Sequence, residues 1–222
     1  MKKIAAIFLA AVGLAVLFAF GGCSGEEVFT EREYSSGDAL VKSVSVDAED
    51  REVSVILSED GQVHVSGWES EKEYYEIDLS QEGALTVTLR YNKEWTDFIG
   101  TKPSAQYRKI VLAVPDQILS SLTVTTTNET IALGALSFAE SLSLDSNGGD
   151  VRFERVSVGK SLCDTAKNGD IDGSVIGGWD DFSIACEIKK GDSNLPASKE
   201  GGQKSLTANC NNGDIHIEFV AA

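Results

Sequence analysis

The feature that most constrains this 222-residue chain is a turn that returns at nearly constant spacing. Asn-Gly-Asp-Ile occurs at Asn168 to Ile171 and again at Asn212 to Ile215. Gly149-Asp150-Val151 and Lys190-Gly191-Asp192 are close variants, and Thr130-Ile131 is a weaker one. Taking Thr130, Asp150, Asp170, Asp192 and Asp214 as origins gives steps of 20, 20, 22 and 22 residues. A fixed period of this size marks units that cannot bury an apolar face alone and must stack on neighbours.

Apolar residues keep the same register. Eight residues before each origin stand Leu122, Leu142, Leu162, Ile184 and Leu206. Together with the columns six before, one after and three after, 17 of 20 positions are apolar; the exceptions are Asp164, Gly173 and Ser193. The interleaved columns hold only Ala132, Cys163 and Ala185 as apolar, 3 of 15. This is period-2 alternation on both sides of a turn, hence two half-buried strands per unit. A hairpin would pair within the unit, whereas a solenoid pairs unit on unit. Columns that stay aligned through five units, with small Thr126, Ser146 and Ala166 near the corner, favour stacking. The expected fold class is therefore all-β: a β-solenoid, a parallel β-helix-like stack of 20–22-residue repeats about 24 Å tall for five rungs. Asn-Gly at the corner is expected to supply positive φ.

The N-terminal half is less regular. Val53/Val55, Val63/Val65, Ile77/Leu79, Leu85/Val87/Leu89 and Ile110/Leu112/Val114 alternate as strands do, with turns at Glu59-Asp60-Gly61 and Gln81-Glu82-Gly83. An irregular, antiparallel start that caps the solenoid is expected there. An insertion from Tyr91 to Arg108 interrupts it.

Residues 1–22 read as a targeting segment. Lys2 and Lys3 precede an unbroken stretch of apolar and small residues from Ile4 to Phe20, and Gly21-Gly22-Cys23 follows at once. The segment resembles a bacterial lipoprotein signal, which implies lipidation of Cys23 and an extracytoplasmic location on the cell membrane. Residues 23–38 are charged and rich in Gly and Ser, and are expected to form a flexible tether to a β-repeat domain over 39–222. The leading alternating segment, the insertion and the repeated units at Leu142 to Phe153, Leu162 to Ile171 and Leu206 to Ile217 resemble the bacterial DUF4097 family. That family's members carry an adhesin label, and the resemblance implies a repetitive β fold in an envelope protein, with no catalytic residues to carry over.

Charge and motifs narrow the function. A formal net charge of −16 repels phosphate backbones, so no nucleic-acid partner is expected. The chain has neither G-x-S-x-G, P-loop nor H-E-x-x-H. His64 and His216 lie on outward strand phases between apolar neighbours, as surface histidines do. No catalytic residue and no cofactor are expected. Asp150, Asp170, Asp192 and Asp214 would stack as a carboxylate ladder, neighbours ~5 Å apart repelling by roughly 0.8 kcal/mol in water. Local backbone hydrogen bonds offset that, and a Ca²⁺ ladder is the second reading. Asp164 falls in an inward column, where a local slip of register is the expectation, because an unpaired buried carboxylate is costly. Cys163 and Cys186 point to opposite faces, and Cys186 and Cys210 are two residues out of step, so free thiols are expected. Tyr91, Trp95 and Phe98 in the insertion, with Trp179 in a widened turn, are candidate ligand platforms or covers for a solenoid end. The expected function is a lipid-anchored envelope protein whose β-repeat domain presents a non-catalytic surface to an unknown protein or glycan. An envelope-stress regulatory or sensor component and a polysaccharide-active β-helix enzyme are the alternatives.

Overall fold

The computed structural model describes residues 27–94, 102–116 and 119–221. Among them are eighteen β-strands, two short 3-10 turns and no α-helix. The strands form two nine-stranded sheets whose inward residues share one hydrophobic core.

In the first sheet the path runs β1 (Thr30–Ser35), β4 (His64–Glu69), β7 (Lys109–Val114), β3 (Glu52–Leu57), β9 (Ile131–Leu133), β12 (Val151–Val158), β14 (Ile171–Ile176) and β18 (Ile215–Val220). The short β10 (Ser137–Phe138) adds to β12. The second runs β16 (Ser198–Lys199), β15 (Phe182–Lys190), β17 (Lys204–Asn212), β13 (Ser161–Ala166), β11 (Ser141–Ser146), β8 (Ser121–Thr126), β2 (Ser43–Asp47), β6 (Ala84–Tyr91) and β5 (Glu73–Leu79). Both sheets are mixed. Parallel, in-register pairing fills their middles, and antiparallel strands flank the ends: β1 and β4 in the first sheet, β5 and β16 in the second.

The parallel layers line up side chain by side chain. One buried row reads Leu85, Val44, Leu122, Leu142, Leu162, Leu206, Ile184. The facing row reads Ile110, Val53, Ile131, Val151, Ile171, Ile215, with Ser193 bridged to Ile215 at its end. Two expectations change here. The N-terminal half is not wholly irregular, because β2, β3, β6 and β7 are parallel layers of the same stack. Nor do layers follow chain order: the last unit, β17–β18, inserts between the unit of β13–β14 and that of β15. The N-terminal end is exchanged likewise, since β2–β3 lies inside β6–β7.

Corner chemistry explains the exchange at the C-terminal end. Asn212 Nδ2 donates to Asn168 Oδ1 at 2.7 Å, and Asn168 Nδ2 to the Asn147 carbonyl at 3.0 Å. Only the last unit repeats the full Asn-Gly-Asp-Ile of its neighbour; the unit with Lys190-Gly191-Asp192 cannot extend the asparagine ladder and lies outermost. Glycines meet at the same corner. A Cβ on Gly169 would lie 2.4 Å from the Gly149 carbonyl oxygen, one on Gly213 2.3 Å from that of Gly169, and one on Gly191 2.0 Å from that of Gly213. Backbone thus rests on backbone; close approach alone demands glycine at position 169, while Gly213 also has the expected positive φ, 148°.

Three of the four turn carboxylates are tied to the next layer. Asp150 Oδ1 accepts from the Asp170 N–H at 2.9 Å, Asp170 Oδ1 from Asp214 at 2.8 Å, and Asp214 Oδ1 from Asp192 at 2.8 Å. These charge-assisted bonds offset repulsion along the ladder.

The two exceptions in the unit of β13–β14 stay in register. Gly173 makes room for Phe153, whose ring would lie 2.3 Å from a Cβ there. Asp164 pairs in line with Leu144 and Ala208, is 0 % exposed, and both its oxygens lack a hydrogen-bond partner. The expected register slip is therefore absent; strand pairing on both sides holds the carboxylate inside. Burial raises its pKa well above the ordinary 3.8.

Edges are closed by side chains. Asn194 imitates a strand against β18, its Nδ2 donating to the Ile217 carbonyl at 2.9 Å and its Oδ1 accepting the Ile217 N–H at 3.0 Å. At the other end, Arg51 and Glu73, each 1 % exposed, form a buried ion pair that Lys93 joins. The expected tether over 23–38 is shortened by β1, a charged edge strand that pairs with β4 over its whole length.

Four measurements check these assignments. Asp170→Ala is expected to destabilise by about 1–2 kcal/mol in urea unfolding, since the Asp214 N–H loses a charged acceptor. Adding Ca²⁺ to the wild-type chain is expected to leave its melting temperature unmoved, whereas a cation ladder would raise it. Asp164→Val is expected to stabilise by about 1–3 kcal/mol at neutral pH. The pH sign follows from the raised folded-state pKa. Below 3.8 both states keep the proton and stability is full; as pH climbs towards the raised value the unfolded chain releases its proton first and stability falls. Asp164→Asn should remove this part of the pH dependence, read as the difference from wild type between pH 4 and 8.

Candidate functional site

Alternation leaves every second side chain of the first sheet outside the core, free of packing duty. Along the middle of that sheet these are Ser54, Ala132, Arg152, Asp172 and His216, one from each of β3, β9, β12, β14 and β18. A second outward row holds Ile56, Glu154, Ser174 and Glu218 on these strands, with Gly134 just past the end of β9. Together they line an open trough of about 680 Å³.

The sequence makes this face concave. Ala132 and Gly134 leave the floor low, and Gly173 presents bare backbone with the Phe153 ring behind it. Between Phe153 and Val156 the register of β12 against β14 shifts, with Arg155 at φ 49°. Such a bulge bends a strand and re-aims its side chains. The Arg155 N–H donates to Ser174 Oγ at 2.8 Å, which fixes the bend. Ile56, 48 % exposed, forms the apolar end of the trough.

The opposite end is charged. Arg152 Nη2 donates to Asp150 Oδ2 at 2.7 Å, and His216 Nε2 lies 3.3 Å from Glu218 Oε1. Glu154, Asp172 and Glu218 bring three carboxylates to a face with one guanidinium. Hydroxyl, guanidinium, imidazole and carboxylate groups offer both donors and acceptors.

The residues singled out in the sequence lie elsewhere. Asp150, Asp170, Asp192 and Asp214 stand at the corner, each amide or carboxylate engaged with the adjoining layer. Among the described residues no three His, Cys, Asp or Glu side chains group as metal ligands do. Cys23, Trp95 and Phe98 lie outside the described residues. Tyr91 packs at the N-terminal end, its hydroxyl 3.4 Å from the Glu49 carbonyl and its ring 4.8 Å from Lys93 Nζ. Burial pushes its hydroxyl pKa up. Trp179 is at the other end, edge-on to Phe219 at 5.3 Å with Lys199 above it at 5.6 Å, and 42 % exposed. The fold does not bring Tyr91 and Trp179 together. A further aromatic group, Phe29 stacked on Tyr107 at 4.7 Å and Tyr107 edge-on to Trp68 at 5.2 Å, sits by β4.

His64 and His216 both point outward. His64 Nε2 lies 2.9 Å from Asp60 Oδ1, and that contact, with backbone and Ser58 bonds, holds the Asp60 carboxyl down at about 2. Cys163, Cys186 and Cys210 are free thiols. Cys186 is opposite Ala208 and Cys210 opposite Ile188, the expected two-residue offset. Burial pushes the Cys163 and Cys210 thiols up, which keeps them protonated and poor nucleophiles. None of the trough residues was legible as a site; His216 reads from the sequence as a surface histidine. Their only signal is a column, two after each origin, that mixes Ala132, Arg152, Asp172 and His216.

Comparison with known proteins places the fold. A search of curated protein sequences finds no significant match. The solved structure described as a putative cell adhesion protein from Clostridium sporogenes ATCC 15579 covers 88% of this chain and 100% of its own, at 11% identity and TM-score 0.62. A putative adhesin from Bacteroides fragilis NCTC 9343 aligns over 87% of this chain and 97% of its own, at 11% identity and TM-score 0.40. No helix among the described residues is long and apolar enough to cross a membrane. The profile of the Toastrack DUF4097 family matches residues 41–222, covering all the parallel layers, so the chain belongs to the Toastrack DUF4097 family.

Proposed function

We propose that this chain is a lipid-anchored binding module of the cell envelope, a β-solenoid whose outer face holds a surface ligand and performs no catalysis. The observation that carries the reading is the trough itself. Core packing fixes only the inward columns, yet the outward ones here form a continuous concave row of polar and small residues across five strands. Concave faces of this kind, with a few convergent polar groups, are where ligands bind. The adhesion label of the Clostridium sporogenes structure is in keeping with a contact role.

Anchoring rests on the leader. Cleavage before Cys23 and acylation of its thiol and new amino terminus would fix the domain to the outer surface of the cell membrane, several chains together giving stable attachment. Because β1 starts at Thr30, only a few residues separate the lipid from the sheet edge.

Two experiments test this. Cys23→Ser is expected to move the protein from the membrane fraction to the medium or periplasm; retention in the membrane would remove the anchor. The released Cys23→Ser chain is expected to bind intact envelopes, and Ala132→Trp, whose outward indole fills the trough floor, is expected to weaken that binding at least tenfold with an unchanged melting temperature. Equal binding by the two proteins would rule out this face.

A further inference from the structure

The trough crosses the strands instead of following them. Five neighbouring strands contribute outward residues, two each except β9, which gives Ala132 with Gly134 just past its end, and strands stand ~4.8 Å apart. The first and last contributions are therefore roughly 19 Å apart. An occupant that meets all five must be long, thin and periodic at about the strand spacing. A linear chain of pyranose rings advances by a similar distance per ring.

An extended peptide suits this face poorly. Recognition by strand addition needs a free sheet edge. β3, β9, β12 and β14 are paired on both sides, and Asn194 occupies the edge of β18 at Ile217. The polar side chains that face the trough are those that serve hydroxyl groups. Ser54, Arg152, Asp172 and His216 offer donors and acceptors at strand intervals, while Ala132 and Gly134 leave space for a ring to lie close.

Charge selects among glycans. Arg152 is already bonded to Asp150, and Glu154, Asp172 and Glu218 face the trough in a chain of net charge −16. That field repels polyanions such as uronates and polyol phosphates. We propose that the trough binds a linear, uncharged glycan laid along the stack, one sugar ring to a strand. The proposal rests on the reading of this face as the contact surface and adds the class of ligand.

Calorimetric titration of the full chain in mild detergent tests it, with cellulose-, mannan- and N-acetylchitin-derived oligosaccharides of two to six sugars. At least one series is expected to bind, its affinity rising at least tenfold from three to five sugars and levelling off beyond. Hexagalacturonate and hexalysine are expected to give no heat. Ala132→Trp and Asp172→Ala should each weaken binding at least tenfold without lowering the melting temperature. No heat from any neutral series, affinity independent of length, or preference for hexagalacturonate or hexalysine would each overturn the proposal. Envelope binding separates this from failure of the face itself. If Ala132→Trp abolishes envelope binding while all neutral sugars are silent, the face stands and the glycan falls. If Ala132→Trp leaves envelope binding intact, both fall.

Discussion

Backbone resting directly on backbone at the corner is the contact on which the rest of this molecule depends. Gly149, Gly169, Gly213 and Gly191 approach so closely that no side chain fits between successive layers. That contact fixes the spacing, and the spacing fixes the register of every strand that leaves the corner. Asp150, Asp170 and Asp214 then find the next layer's amide within hydrogen-bond reach, and Leu142, Leu162 and Leu206 fall into one row. Outward residues inherit the same alignment, which is why a row of unrelated side chains can act as one surface.

Inside, the stack tolerates errors of sequence by local compensation. Gly173 would leave a gap, and the Phe153 ring fills it from the neighbouring strand. Asp164 has no such relief, since Leu144 and Ala208 offer nothing to accept or donate. It stays because pairing on both flanks outweighs the cost of one buried carboxyl. Parallel pairing through six residues on each side is cooperative, and one unfavourable side chain cannot turn the strand over without exposing Leu162 and Ala166.

Much of this was legible in the amino-acid order, and the reasons for the remainder are physical. Period-2 alternation around Asn168 and Asn212 revealed strands and corner, because burial acts on each residue separately, and columns aligned through five units revealed the parallel stacking. It also identified Cys186 and Cys210 as out of step. It did not reveal the order of layers, which depends on which corners match: Asn212 fits Asn168, and Lys190 does not. The layers at Val44 and Leu85 were missed because β4 and β5 come between them and Tyr91 to Arg108 separates Leu85 from Leu122, which stretches the spacing beyond the repeat. Asp164 misled, since the sequence shows the price of a buried charge but not the strength of the pairing that holds it. The trough was nearly silent: Arg152 and Asp172 look like any solvated residues until five strands set them side by side.

The exchanged layers at the C-terminal end give assembly an order that no simple zipper has. The unit built on Phe182 to Lys190 emerges before the one built on Lys204 to Asn212, yet apart from the two-residue β16 it has no layer to lie against until the later one has docked. The face of β13 must wait, bare, for the final stretch of chain. Closure of the stack thus comes last and all at once, and a chain released early would lack an inner floor of the building, not its roof.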